Sequence, residues 1–340
     1  MSNEIQIANF ADGGSQLELA SRPVAFNEDT QQVRIATGRG LEINSVLLKD
    51  EWQAYDRAVL ETAKVPLVAV ADLKSRGLVD SYNSIGVQVA TWNVESDMGP
   101  ADTSMSGRGS NEFGQADYDL RGVPIPVIWK SVQLDARTLE ARRRLGATTD
   151  VSNVMLAARK VYEKQEDMLI NGDASITFDT QTIYGYTTHP HRITDTATNF
   201  GGGVWTADID NPVKTISGMV AAANAKWRYG PFTVYVGAAQ YNAAALHFYT
   251  DGTGDTPMSR ILRMGGIEAF KLVPALTDGN VLLVQLDKET VDWVSIWESR
   301  FVEWTTNDLM TSNFRVMSIS APRIRSDYNG SIGLVHATGA

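Results

Sequence analysis

Twenty-four consecutive residues, Ser96–Asp119, hold five glycines or prolines (Gly99, Pro100, Gly107, Gly109 and Gly114) and almost no large apolar side chains. A compact domain rarely tolerates a structureless loop of that length. On the amino side Ile85, Val87 and Val89 alternate with polar residues like a strand, and Val123, Ile125, Val127 and Val132 suggest its return partner. The pattern predicts a two-stranded arm projecting from the body. Strands of about 11–15 residues would reach roughly 35–50 Å. Such a hairpin is marginal alone in water.

The arm is also charged. Asp97, Asp102, Glu112, Asp117 and Asp119 stand against Arg108 alone, so its tip is acidic. An acidic arm needs a basic seat, which a symmetric assembly can supply from a second copy of the chain. The sharpest basic run is Arg142-Arg143-Arg144. It reads as a solvated helix face, as a nucleic-acid contact, or as part of that seat. The eight residues named for arm tip and seat form a candidate assembly interface.

Composition narrows the classes. Forty Asp and Glu against 30 Lys and Arg give a net charge of -10, which disfavours a surface that grips nucleic-acid phosphates. With no cysteine there is no disulfide, thiolate nucleophile or cysteine-held metal. At 340 residues the chain exceeds the ~250–300 at which single cores stop growing, so two bodies are expected. The first basic residue is Arg22, and the most apolar stretch, Val65–Ala71, contains Pro66 and falls far short of the ~20 residues of a spanning helix. A soluble protein with no membrane partner is the expectation.

Along the chain, Gln32–Ala36 reads as a strand, and Asp50 can cap a helix bearing Trp52, Tyr55, Val59 and Ala63. Asp135 can cap a helix over Ala136–Leu145. A longer one opens at Thr149 or Asp150 and closes at Asn171-Gly172. Its stripe is Val151, Val154, Met155, Ala158, Val161, Tyr162, Met168 and Leu169, while Arg159, Lys160, Glu163, Lys164, Glu166 and Asp167 face away. Residues 173–210 read as polar connection. Asn211-Pro212 then starts a helix, with an Asx cap and a stripe of Val213, Ile216, Val220, Ala223 and Trp227, stopped by Gly230-Pro231. A strand at Phe232–Val236, a helix at Ala239–Phe248 and a buried strand at Val281–Leu286 mark a second, α/β domain. Tryptophan-rich strands follow at Val291–Trp297, Arg300–Trp304, Phe314–Ser320 and Ser331–Ala337, and are read as returning to the first domain.

Chemistry finds little support. His189-Pro190-His191 could hold a metal but lacks a nearby carboxylate cluster, and His247 reads as a partly buried helix residue. Gly201-Gly202-Gly203 follows no phosphate-binding pattern, and Asp251–Asp255 lacks the spaced ligands of a calcium loop. No GxSxG elbow occurs. No catalytic residue, cofactor or metal site is expected.

The order of parts resembles the Hong Kong 97 type of major capsid protein, the α+β fold of tailed bacteriophages and encapsulin nanocompartments. Leu134-Asp135 through Gly172, with Glu140, Ala157-Ala158, Glu163, Glu166-Asp167 and Asn171-Gly172, looks like the "aa..va..Ed..i.nG" segment of the encapsulin-like group. Tyr184-Gly185-Tyr186-Thr187-Thr188-His189-Pro190 resembles the "YG.tnhP" connection of its phage members, and Gly230–Val236 is similar to the first strand of the family's axial domain.

The resemblance implies an amino-terminal arm (1–47) and an extended hairpin loop, or E-loop (84–130). It further implies a peripheral domain (48–83, 131–210 and 291–340) with its spine helix at 150–171, and an axial domain (211–290). It implies a non-enzymatic shell protein that assembles with itself as pentamers and hexamers, through arm and E-loop, in the host cytoplasm. The virion shell would enclose double-stranded DNA without sequence-specific binding; portal, scaffold or decoration proteins are further implied partners. No lysine lies between Lys74 and Lys130, so the covalent loop cross-link of some relatives is not expected. With 47 residues ahead of Leu48, neither is a cleaved amino-terminal scaffold domain. An encapsulin-type shell is the alternative reading, and a soluble α/β enzyme of unknown chemistry the second.

Overall fold

The computed structural model describes residues 24–27, 32–37, 41–48, 67–98, 101, 103, 105, 115–135, 137, 152–178, 181–250, 254–305 and 311–340. The helix expected to begin at Asp50, and all but Arg137 of the one expected over Ala136–Leu145, lie outside those residues.

From the amino end the described elements are β1 (Val24–Asn27), β2 (Gln32–Thr37), β3 (Leu41–Leu48), α1 (Ala69–Ser75), β4 (Val79–Ser81), β5 (Val89–Glu95), β6 (Tyr118–Pro124) and β7 (Val127–Asp135). There follow α2 (Ser152–Asn171), β8 (Gly172–Phe178), β9 (Gln181–Tyr184), β10 (Ile193–Thr196), α3 (Asn211–Asn224), β11 (Phe232–Val236), α4 (Ala238–Ala245) and α5 (Pro257–Leu262). Strands β12 (Ile267–Leu272), β13 (Asn280–Gln285), β14 (Val291–Thr305), β15 (Thr311–Ile324) and β16 (Leu334–Thr338) complete the order. Two compact units share these elements: Met1–Pro66, Val127–Glu163 and Trp297–Ile319 form one, and Leu67–Pro126, Lys164–Ile296 and Ser320–Ala340 the other.

In the first unit β1, β2 and β3 make an antiparallel meander. Residues Val127–Asp135 of β7 pair antiparallel with Thr311–Ile319 of β15. Phe301 and Phe314 stack beneath this ladder at 5.4 Å between ring centroids. On the other face, Arg315 lies over Trp129 and donates to Ser131 Oγ. Sequence alternation made one strand of the run from Val123 to Val132. The structure divides it, because Pro124 and Pro126 have no amide hydrogen to continue a ladder. Conversely, the two strands read at 291–297 and 300–304 are one of 15 residues.

The second unit is built on a five-stranded sheet in the order β10-β16-β13-β11-β12. β13 runs antiparallel to both neighbours, while β10 with β16 and β11 with β12 are parallel. Every residue of β11 is buried, as are Val281–Val284 of β13. A continuous apolar run such as Phe232–Val236 suits a strand covered on both faces. α3 packs on β16 and β13, and α5 on β12. Together they enclose a core of Ile216, Met219, Phe232, Val234, Ile261, Leu283 and Val335. Strand β16, grouped above with the tryptophan-rich strands, thus pairs with β13 and β10 in this sheet. Its Leu334–Ala337 are buried, as a central strand demands.

Several helix readings change. α3 ends at Asn224, so Trp227 leaves the expected stripe and is 81% exposed. The Asn211 side chain donates to the Val204 carbonyl and makes no cap. His247 falls beyond the end of α4 and is exposed. Gly172 ends α2 as expected: it has φ +74°, and the Gly185 amide stands 2.6 Å from where a Cβ would be. Within 173–210, read as connection, β8 and β9 pair as an antiparallel hairpin and β10 joins the five-stranded sheet beside β16.

Candidate assembly surface

The arm begins as the β5–β6 ribbon. Seven-residue strands pair antiparallel from Val89↔Pro124 to Glu95↔Tyr118. Period-two alternation gives its faces different fates. Ala90, Val94 and Val123 are buried, with Trp92 and Arg121 between them on the same face, and β6 packs against β9 and β8. The opposite face carries Thr91, Asn93, Glu95, Leu120 and Tyr118, all exposed, with Leu120 at 65% and Tyr118 at 67%. An aliphatic and an aromatic side chain therefore stand exposed, with little cover among the described residues. Met98 and Ile85, each 59% exposed, add to the apolar surface of this segment.

Charged groups root the ribbon. Arg121 pairs with Asp119 two residues back on the same face, and its guanidinium also donates to Ser326 Oγ at 2.7 Å. The Arg323 guanidinium lies 5.9 Å from the Trp92 ring and pairs with buried Asp292 and with Asp80. Asp292 also accepts from Arg325, so one buried carboxylate holds two guanidinium groups. Removing one partner of such a pair leaves an uncompensated buried charge, worth about 3–5 kcal/mol.

A second buried carboxylate corrects the reading that Glu166 faces away. Glu166 is 2% exposed. Its Oε1 accepts from the Val68 and Ala69 amides and its Oε2 from the Val70 amide. These are the free N–H groups at the start of α1, whose own N-cap, Val68, has no side chain that can accept from them. Burial pushes the Glu166 carboxyl up, the three amides pull it down, and the negative charge of Asp72 adds to the rise. Asp72 itself accepts from the Tyr235 hydroxyl at 2.8 Å and pairs with Lys271. Tyr186 stacks on Tyr235, and burial drives both hydroxyl pKa values up. A helix starting without Ser, Thr, Asp or Asn was the available signal that a distant carboxylate must supply the cap.

Of the residues expected at an interface, Asp97 and Asp117 lie exposed where the ribbon opens; the Ser96 amide donates to the Asp117 carbonyl at 2.9 Å, and the Asp117 amide to Ser96 Oγ at 2.8 Å. Asp119 is exposed but spends its charge on Arg121. Asp102, Glu112 and Arg142–Arg144 lie outside the described residues.

The other candidate residues take up places in the packing and in turns. His189 is 5% exposed, and its Nδ1 accepts from the His191 amide. Its pKa falls to about 4, through burial first and then the charges of His191, Arg121 and Arg192. Gly202 is a close-packed turn, since a Cβ there would meet Thr215 Oγ1 at 2.1 Å. Asp255 pairs with Arg263 and stands just before α5, which Thr256 and Ser259 cap reciprocally. Among the described residues no group of three His, Asp or Glu is placed to hold a metal ion, and no helix is long and apolar enough to cross a membrane.

A projecting ribbon, a 20-residue helix and an α/β sheet domain are the parts of the Hong Kong 97 capsid fold, and the chain has that fold. It matches the virus-like particle of Pyrococcus furiosus with a TM-score of 0.60 at 14% identity, over 84% of this chain and 98% of that one. It matches the capsid of Myoviridae phage XM1 with a TM-score of 0.59 at 13% identity, over 78% and 91% respectively. By sequence it is 22% identical over 280 residues to the type 1 encapsulin shell protein EncA of Myxococcus xanthus strain DK1622, covering 82% of this chain and 90% of that protein. The chain belongs to the family described as a family of unknown function (DUF6260), whose model matches residues 42–337.

Proposed function

We propose that this chain is a shell-forming protein, the major capsid protein of a tailed bacteriophage, and that it acts structurally and not as an enzyme. The observation that carries the reading is the fold match over 98% of the Pyrococcus furiosus particle chain, with the ribbon's apolar outer face left uncovered. A face bearing Tyr118 and Leu120 gains about 25 cal/mol per Å² when a neighbouring copy covers it. Pentamers and hexamers would be joined through arms 1–47 and E-loops 84–130, with 211–290 meeting around their axes. An acidic chain enclosing DNA avoids adhering to its contents. Portal, scaffold or decoration proteins are the partners such a head would take.

The EncA relationship favours a second reading, an encapsulin-type nanocompartment shell in the cytoplasm. The test is to express the chain alone and examine it by size-exclusion chromatography and negative-stain microscopy. Closed shells larger than sixty subunits are the expected result. Uniform small shells with a co-purified protein would select the encapsulin reading. A monomer or dimer unchanged by phage partner proteins would overturn both.

A further inference from the structure

Trp227 is the one described non-glycine residue with positive φ, at +62°. It sits where α3 terminates. The Arg228 amide bonds the Ala223 carbonyl and the Trp227 amide bonds the Asn224 carbonyl, the paired bonds of a helix-ending motif whose left-handed position is normally glycine. A side chain there is disfavoured, because its Cβ crowds the following carbonyl. Such strain persists only where something outweighs it, yet within this chain the indole gains almost no burial: it is 81% exposed. Tyr229, 63% exposed, meets it edge to face at 6.5 Å between centroids. The loop is held firmly, because Arg228 pairs with Glu289 and donates to the Ser331 carbonyl, while Ser331 Oγ donates to the Lys226 carbonyl. Two aromatic rings are thus presented in a fixed geometry, largely uncovered among the described residues.

We propose that Trp227 and Tyr229 are an intersubunit anchor, covered by a second copy of this chain in the assembled shell. Area selects that occupant. Two rings of about 150–250 Å² each, partly covered already, supply roughly 300 Å², against the ~800 Å² per partner of a free-standing complex. Such a patch cannot hold a separate partner by itself. It works where other contacts, such as the ribbon's Tyr118 and Leu120, already bring copies together and the same contact repeats around a closed assembly. The inference rests on the shell reading and deepens it.

The test uses opposite signs. Trp227→Gly removes the ring and the strain together. The isolated subunit should unfold at the same or a higher temperature, while the concentration needed for assembly rises tenfold or more. Trp227→Ala keeps the backbone strain and should show the same assembly loss without the gain in stability. Because the chain lacks cysteine, Lys226→Cys introduces a single exposed thiol beside Trp227 without removing either ring, and it should react with a maleimide dye in free subunits and be protected in shells. Unchanged assembly of Trp227→Gly, or equal labelling in both states, would overturn the anchor while leaving the shell reading standing. A less stable Trp227→Gly subunit would overturn it too, by making the indole an internal packing residue. Failure of the wild-type chain to assemble under any condition would overturn the shell reading and the anchor with it.

Discussion

The central strands of the five-stranded sheet and the β5–β6 ribbon are made of similar residue types and meet opposite fates. Phe232–Val236 is apolar or tyrosine and threonine throughout, and all five residues are buried. Val89–Glu95 alternates, and only Ala90 and Val94 are buried. The first strand finishes its packing inside its own subunit. The second finishes half, and offers Tyr118 and Leu120 on its partner strand to whatever comes next. An apolar side chain held in water by a built strand is a cost to the monomer. Shell formation would recover it.

If that contrast holds, truncation inside the sheet should be the most damaging change. Phe232→Ala empties a fully buried site in the core cluster, and should cost about 3–5 kcal/mol of subunit stability, read by urea denaturation. A loss under 1 kcal/mol would mean the sheet is not the stable half.

Acid should strike the sheet next. His336, on β16, accepts from the Arg192 Nε at its Nδ1 and bonds Asn280 Oδ1 through Nε2, so it is neutral in this geometry. Burial first, then the Arg192 charge, lowers its pKa to about 4. The unfolded histidine keeps an ordinary value near 6.5, so the unfolded chain binds protons first. The contribution is therefore intact above about pH 6.5 and is lost as pH falls toward about 4, on the order of 3 kcal/mol for each histidine so placed, His189 being the other. Denaturation curves from pH 7 to 4.5 should show this decline, and His336→Asn should flatten it. An equal slope in the variant would assign the acid sensitivity elsewhere.

The ribbon should respond least in the subunit and visibly in the assembly. Leu120→Ser, on the exposed face, should change subunit stability by no more than about 0.5 kcal/mol while lowering shell yield in sedimentation. A large stability loss would place Leu120 in the subunit core. Full shell yield would free the ribbon's outer face of a role in assembly.

Helix α2, the start of α3 and the β11 and β13 strands were legible because local periodicity and terminal signals act within a few residues. The inner ends of the arm's strands were legible too, as Gly and Pro between two apolar runs, but their outer ends were not: each strand has seven residues where about 11–15 were expected. Less legible was anything depending on a distant partner. Glu166 falls between Gln165 and Asp167 in a charged stretch, and only the approach of Val68–Val70 turns it into a buried cap. Arg323, Asp292 and Asp80 come from three separate segments. His189-Pro190-His191, set aside as a metal pair for want of a nearby carboxylate cluster, gave no local sign that its first ring is buried.

By itself, then, the sequence determined the kind and order of the longer elements, the two-stranded ribbon, and the acidic balance of the chain, because each is set by short-range pattern or by composition. Tertiary structure alone decided which strands share a sheet, that Trp227 points into water instead of into the helix stripe, and which carboxylates are buried. Those outcomes depend on residues tens to hundreds of positions apart meeting in space, and on the desolvation that follows.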